Sequence, residues 1–215
     1  MFSLDPFQIA VTAVAILFVL TVHEFSHALV ADALGDKTAR RMGRLTLNPL
    51  SHLDLLGTVL MFVAGFGWAK PVPVDLRNLK NPKTEMIYIA AAGPLSNILT
   101  AVIAGAAFQF LASGGAEGVL FSNVWVFIGN FLLLIIVYSV ALAVFNLIPI
   151  PPLDGSRILY GLLPHTAANF YARFEKFGML LLFGIFIFAR EGAMRVLWTP
   201  VKQLVILFTG ESGIL

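Results

Sequence analysis

The most constraining stretch of this 215-residue chain is an apolar run over residues 7–34, which carries the motif His23-Glu24-Phe25-Ser26-His27. As a helix this run is about 40 Å long, which is enough to cross a lipid bilayer. Ionisable side chains within such a helix are costly in lipid and therefore mark a functional site. The run predicts a membrane-spanning helix with a polar centre inside it.

The H-E-x-x-H spacing places two imidazoles on one face of that helix, because residues four apart lie one above the other. A zinc ion can bind both, so His23 and His27 are predicted metal ligands. Glu24 lies beside them and is predicted to act as a general base on an activated water. The alternative is a polar contact between bundled helices, which would require neither this spacing nor the glutamate.

Composition extends the membrane interpretation to the whole chain. It is 59% hydrophobic and only 12% charged, with a mean hydropathy of +0.89. These values predict an α-helical polytopic membrane protein and exclude an ordinary soluble domain. Because the chain has no cysteine, a metal must be held by His, Asp or Glu. The formal net charge of +2 is too small to indicate a nucleic-acid partner.

Further apolar runs suggest the number of spans. Residues 86–111 and 124–148 are long enough to cross a bilayer. Residues 177–189 and 196–209 are shorter, and they could cross as a hairpin or, for the last run, lie along the interface. We therefore predict four to six transmembrane helices.

Lysine and arginine predict the orientation in the cell membrane. Residues 36–84 contain eight of these side chains, whereas the segment before the first run contains none. The positive-inside rule therefore places residues 36–84 in the cytoplasm and the N-terminus outside. If the first helix ends near Gly35, His27 lies about 12 Å from its cytoplasmic end and His23 about 18 Å. The site is thus expected to open toward the cytoplasmic side.

Residues 36–84 are also expected to contain a small membrane-associated β or re-entrant segment. Residues 38–47 alternate loosely and could form a strand or hairpin arm. The apolar run 58–66 is too short to span, which suggests a re-entrant segment. Prolines within residues 68–74 favour an extended edge strand.

We expect one integral-membrane domain over residues 1–215. Its core comprises residues 7–163, and C-terminal hydrophobic helices follow within residues 174–209. The stretches between the apolar runs are short and partly apolar themselves. No PDZ-like or other soluble domain is therefore expected.

A catalytic zinc takes three protein ligands and leaves one position for water, so a third ligand must come from elsewhere. Asp154 follows a proline-rich stretch that ends the third span on the cytoplasmic side. Spacing alone fits a helix N-cap at Asp154 equally well, and the need for a third ligand favours the metal role. His52 and His165 are further candidates, followed by Asp54, although a structural role in a loop explains His165 more readily.

The second run contains the sequence Gly93-Pro94-Leu95-Ser96-Asn97. Small residues allow helices to approach closely, and Pro94 predicts a kink. The amide of Asn97 needs a partner in lipid, and an interhelical hydrogen bond and a role at the active site explain it equally well. Asp32 is a candidate to orient the histidines from behind.

Together these motifs resemble the site-2 protease family of intramembrane zinc metalloproteases. The resemblance implies that Asp154 is the third zinc ligand. It also implies that Asn97 and Asn146 lie near the active site and stabilise the substrate backbone or the transition state. One departure is Ser156, since many relatives have a glycine there. The matching residues are His23-Glu24-Phe25-Ser26-His27, Asn48-Pro49 to His52 and Gly57, Gly93-Pro94-Leu95-Ser96-Asn97, and Asn146-Leu147-Ile148-Pro149 to Leu153-Asp154-Gly155.

The predicted activity is therefore an intramembrane zinc metalloendopeptidase with one Zn²⁺ per chain. Its expected substrate is a membrane protein, cut within or near a transmembrane helix. A metal transporter or metal-binding membrane protein would need polar residues along the spans, whereas here they cluster at one level. A non-catalytic protein that binds partner helices would have no use for Glu24.

Overall fold

The computed structural model describes residues 5–55, 57, 69–113, 123–188 and 190–211. These ranges are mostly helical, and the predicted re-entrant run 58–66 lies outside them. Short 3-10 helices form at Pro49–His52 and Leu76–Asn78. The α-helices are α1 Pro6–Ala33, α2 Thr38–Arg41, α3 Pro82–Ala112, α4 Asn123–Asn146, α5 Asp154–Leu162, α6 His165–Ala172, α7 Glu175–Phe188 and α8 Arg190–Thr209.

Three helices in the described part of the chain are long and apolar enough to cross a membrane, namely α1, α3 and α4. They contain 28, 31 and 24 residues and coincide with the three long apolar runs of the sequence. The chain is therefore an α-helical polytopic membrane protein, as predicted. In the described ranges α7 and α8 are not among the candidate spans, so the expected total of four to six remains a prediction.

The core lies where α8 joins the three long helices. Val201 and Val205 of α8 are buried together with Ala15 of α1 and with residues of α3 and α4. At Gly105 of α3 a Cβ would lie only 2.6 Å from the carbonyl oxygen of Phe208. The second half of α8 therefore packs against the bundle, and close approach of the two helices requires the glycine.

The expected strand over residues 38–47 is wrong at its start, where the chain forms the helical turn α2. The cause is the fully buried carboxylate of Asp36, which accepts hydrogen bonds from the backbone N–H and hydroxyl of Thr38. Asp36 also accepts from the N–H of Asp75 at 2.8 Å and from Asn78 at 2.8 Å. Side-chain bonds of this kind compete with strand formation.

Asp36 thereby joins the end of α1 to the segment before α3. Burial raises the pKa of the Asp36 carboxyl, whereas the hydrogen bonds from Thr38, Asn78 and Asp75 lower it. Together the hydrogen bonds outweigh burial, so the pKa lies below its usual value. The carboxylate form is therefore the one that the fold stabilises. Among the described residues, the β structure of this region is a single antiparallel bridge between Leu53 and Ala69.

Candidate metal and catalytic site

Two histidines of α1 and the first residue of α5 meet in the interior. The Nε2 atoms of His23 and His27 lie 3.1 Å apart, and Oδ2 of Asp154 lies 3.1 Å from the first and 3.2 Å from the second. Tetrahedral zinc with bonds of about 2.0–2.2 Å separates its ligand atoms by about 3.3–3.6 Å. Because the observed distances are within a few tenths of an ångström of that separation, these buried residues fit a zinc ion.

Asp154 reaches this position through the turn that follows α4. Leu153 occupies the N-cap of α5, so the carboxylate of Asp154 does not cap the helix and instead faces the histidines. The turn is tight, because a Cβ at Gly155 would lie 2.2 Å from the carbonyl oxygen of Leu147. Glycine at this position therefore permits the chain to cross itself directly behind the carboxylate.

Each imidazole has a second partner on α3. Nδ1 of His27 lies 2.6 Å from the carbonyl oxygen of Ile89. Since a carbonyl only accepts, Nδ1 carries the proton and Nε2 keeps its lone pair for a metal. Nδ1 of His23 lies 3.1 Å from the side-chain nitrogen of Asn97, which is fully buried.

Asp32 does not orient the histidines, and this prediction was wrong. Its carboxylate accepts from Arg40 at 2.7 and 2.6 Å and from Lys37 at 3.0 Å. Asp32 lies five residues after His27, which turns it well away from the face of the histidines at 100° per residue. Its role in the structure is to hold α2 against the end of α1.

Gly93 of α3 packs directly against both imidazoles. A Cβ at this position would lie 2.4 Å from Nε2 of His27 and 2.6 Å from Nε2 of His23. These distances are far below van der Waals contact, so only glycine leaves the two nitrogens in place. The sequence predicts for Gly93 only the close helix approach that small residues allow, and its contact with the predicted ligands appears only in the structure.

The side chains of His23, His27 and Asp154 line a cavity of about 430 Å³. Glu24 lines the same cavity and is partly exposed to it, as is Asn146, whose side-chain nitrogen also donates to the carbonyl of Leu142 at 3.0 Å. Asn97 is not among the lining residues. Glu24, a potential base, and the amide of Asn146 therefore lie next to the metal-binding group in the cavity. The amide of Asn97 instead lies behind the imidazole of His23.

The remaining candidates for the third ligand lie elsewhere. His52 is fully buried and its Nε2 donates to the carbonyl of Thr46 at 2.9 Å. Asp54 accepts from the N–H of Gly57, and His165 is exposed at the start of α6. Within the described ranges, the group of side chains able to hold a metal ion is His23, His27 and Asp154.

One wall of the cavity is the segment 69–75, which contains Val72 and Val74. It is fixed at both ends, because the N–H of Lys70 donates to His52 and that of Asp75 donates to Asp36. Arg44 also donates to the carbonyl of Lys70. In the described part of the chain the N–H groups of Val72 and Val74 make no hydrogen bond. The prolines at 71 and 73 keep the segment extended.

A family model and several known proteins match most of this chain. The family model described as "Peptidase family M50" matches residues 11–124 and 121–189. A protein of Bacillus subtilis (strain 168) named "Putative zinc metalloprotease YwhC" is 37% identical over 185 residues, which are 86% of this chain and 82% of that protein. No solved structure matches the chain at a significant level.

More distant relatives carry a similar name. A protein of Mycolicibacterium smegmatis named "Putative zinc metalloprotease Rip2" is 32% identical over 77% of this chain and 62% of its own length. Its namesake in Mycobacterium tuberculosis (strain H37Rv) is 30% identical over 78% of this chain and 63% of its own length. The chain thus spans less than two thirds of these two relatives and most of the Bacillus protein.

Proposed function

The chain belongs to peptidase family M50, the site-2 protease family, and is a zinc metalloprotease; we propose that it cuts membrane-protein substrates within or near a transmembrane helix. The supporting observation is the position of the metal-binding group. His23 lies ten residues before the end of α1, which is about 15 Å along a membrane-spanning helix. A peptide bond within or near a transmembrane helix lies at a comparable depth, so the site is placed to meet it.

Zinc, held by His23, His27 and Asp154, would supply the Lewis acid that activates a water molecule and polarises the scissile carbonyl. The carboxylate of Glu24 takes the proton of the attacking water, because it lines the cavity next to the two histidines. Glu24 then passes that proton to the nitrogen of the leaving amine. Asn146 lines the cavity and offers an N–H donor to the oxygen that becomes negative.

A substrate helix must unwind locally, since its own hydrogen bonds shield the carbonyl that is attacked. The N–H groups of Val72 and Val74 can hold such an unwound segment by strand addition. Residues two apart in an extended chain present their N–H groups to the same side, and Pro73, which lies between the two valines, has no N–H. The cavity wall is therefore a one-sided edge beside Glu24.

We place the active site toward the cytoplasmic side, in a single integral-membrane domain. The basic residues between α1 and α3 support this orientation, because they favour the cytoplasmic face of the membrane. Reporter fusions after residues 34 and 111 test it. A cytoplasmic signal from the first and an external signal from the second support the orientation, and the reverse pair contradicts it.

Cleavage is tested by co-expression of the full chain with a panel of tagged single-span proteins. The matched control is Glu24→Gln, which keeps the shape of the side chain and the three metal-binding residues. We expect the wild type to cut at least one reporter inside its span and the variant to cut none while it retains zinc. Cleavage that persists in Glu24→Gln, or that occurs only in loops outside the span, would contradict the proposal.

A further inference from the structure

We propose that Asn97 is a positioning residue whose side-chain carbonyl accepts a hydrogen bond from Nδ1–H of His23 and so keeps Nε2 turned toward the metal. The inference rests on the zinc site proposed above. Asn97 is fully buried, and its amide lies 3.1 Å from Nδ1 of His23. The contact joins α3 to α1, so one interhelical hydrogen bond also reaches the active site.

The direction of this hydrogen bond follows from the chemistry of imidazole. A neutral ring has one N–H and one lone pair, so Nδ1 carries the proton when Nε2 is a metal ligand. An amide N–H opposite that proton would place two donors face to face. Oδ1 of Asn97 makes no hydrogen bond within the described ranges. A half-turn about the last side-chain bond exchanges the two ends of the amide and places this oxygen against His23.

The spacing of residues on α3 supports the same role. Ile89, Gly93 and Asn97 follow one another at intervals of four, so they share one face of the helix. Ile89 supplies the acceptor for His27, and Asn97 lies in the equivalent place for His23. Gly93 lies between them and contacts both rings. Each histidine of α1 thus has one hydrogen-bond partner on this face of α3.

The resemblance to the family suggested instead that Asn97 stabilises the substrate or the transition state. That role requires contact with the cavity, whereas Asn97 is fully buried and does not line it. The amide placed for contact with substrate is Asn146. The two asparagines are therefore assigned different functions, one behind the imidazole and one in the cavity.

Zinc affinity of the full chain in detergent, measured by competition with a chelator, separates these roles. Asn97→Leu removes the acceptor at similar volume and should weaken binding about 10- to 100-fold, as loss of an outer partner of a ligand does. Asn97→Asp can only accept and should keep most of the affinity. The visible spectrum of the cobalt-loaded protein should follow the same order, with the aspartate variant resembling wild type. Asn146→Leu, the matched control, should bind zinc as the wild type does.

An aspartate variant that loses zinc as far as the leucine variant would show that the amide N–H or the packing matters, and would overturn the inference. Wild-type affinity in Asn97→Leu would overturn it as well. If the leucine variant does not fold, Asn97→Ala removes the same acceptor and takes its place. A wild-type chain that binds no zinc would overturn the proposed metal site itself, which is a distinct result.

Discussion

Replacement of Gly93 by alanine should remove zinc from the protein while the bundle remains folded. The new Cβ would lie 2.4 Å from Nε2 of His27 and 2.6 Å from Nε2 of His23, whereas ordinary contact begins at 3.4 Å. The first imidazole must therefore move by about 1.0 Å and the second by about 0.8 Å, while metal sites tolerate only about 0.2 Å. Neither ring is free to move, because the carbonyl of Ile89 holds His27 and the carboxylate of Asp154 holds His23.

The expected loss of zinc affinity is at least about 100-fold, the upper end of what a change behind a ligand produces. Overpacking should cost about 1–3 kcal/mol of stability in addition. The assay is competition for zinc against a chelator, with thermal unfolding of the metal-free protein as the check on folding.

Gly129→Ala is the matched control, since Gly129 lies in the spanning helix α4 and nothing lies within 4 Å of its added Cβ. Its zinc affinity should equal that of the wild type. A Gly93→Ala protein that binds zinc as tightly as the wild type would refute the packing of α3 against the two imidazoles.

Two further substitutions test the segment beside the cavity and the junction behind it. Val74→Pro removes one N–H from the cavity wall. Loss of a hydrogen bond of about 1 kcal/mol should lower kcat/KM about fivefold without loss of zinc. Val74→Ala keeps the N–H and serves as the control, and equal rates for the two variants would contradict strand addition. Asp36→Asn should lower the unfolding free energy by about 1–3 kcal/mol, because the buried carboxylate accepts from Thr38, Asp75 and Asn78. Since folding lowers the pKa of Asp36, its contribution to stability is fully present above about pH 4 and is lost as the pH falls through the lowered pKa. The unfolding temperature should therefore decline less toward acid pH in the variant than in the wild type, and parallel curves would count against this role.

Local periodicity explains why part of the site was predictable. The length and polarity of residues 7–34 predict a spanning helix, and a spacing of four places two imidazoles on one face. Spacing alone left Asp154 open between a helix cap and a ligand, because its partner on α1 lies 131 residues away, and only the need for a third zinc ligand favoured the metal role. Only the tertiary structure shows that Leu153 is the cap and that the carboxylate faces the histidines.

The errors have equally physical causes. Residues 38–47 alternate in the sequence, but the hydrogen bonds of Asp36 form a helical turn where that alternation suggested a strand. Asp32 was expected to support the histidines, yet its position on the helix turns it toward Arg40 and Lys37. The roles of Gly93 and Asn97 depend on the register between α1 and α3, which no local pattern in the sequence contains.

We propose that His23, His27 and Asp154 hold one catalytic zinc ion. Elemental analysis of the detergent-purified chain, wild type beside Asp154→Ala, tests it most directly. We predict about one zinc per chain in the wild type, as a three-ligand catalytic site requires, and almost none in the variant. A wild type without zinc even after zinc is added back, or a variant that retains all of it, would contradict this assignment.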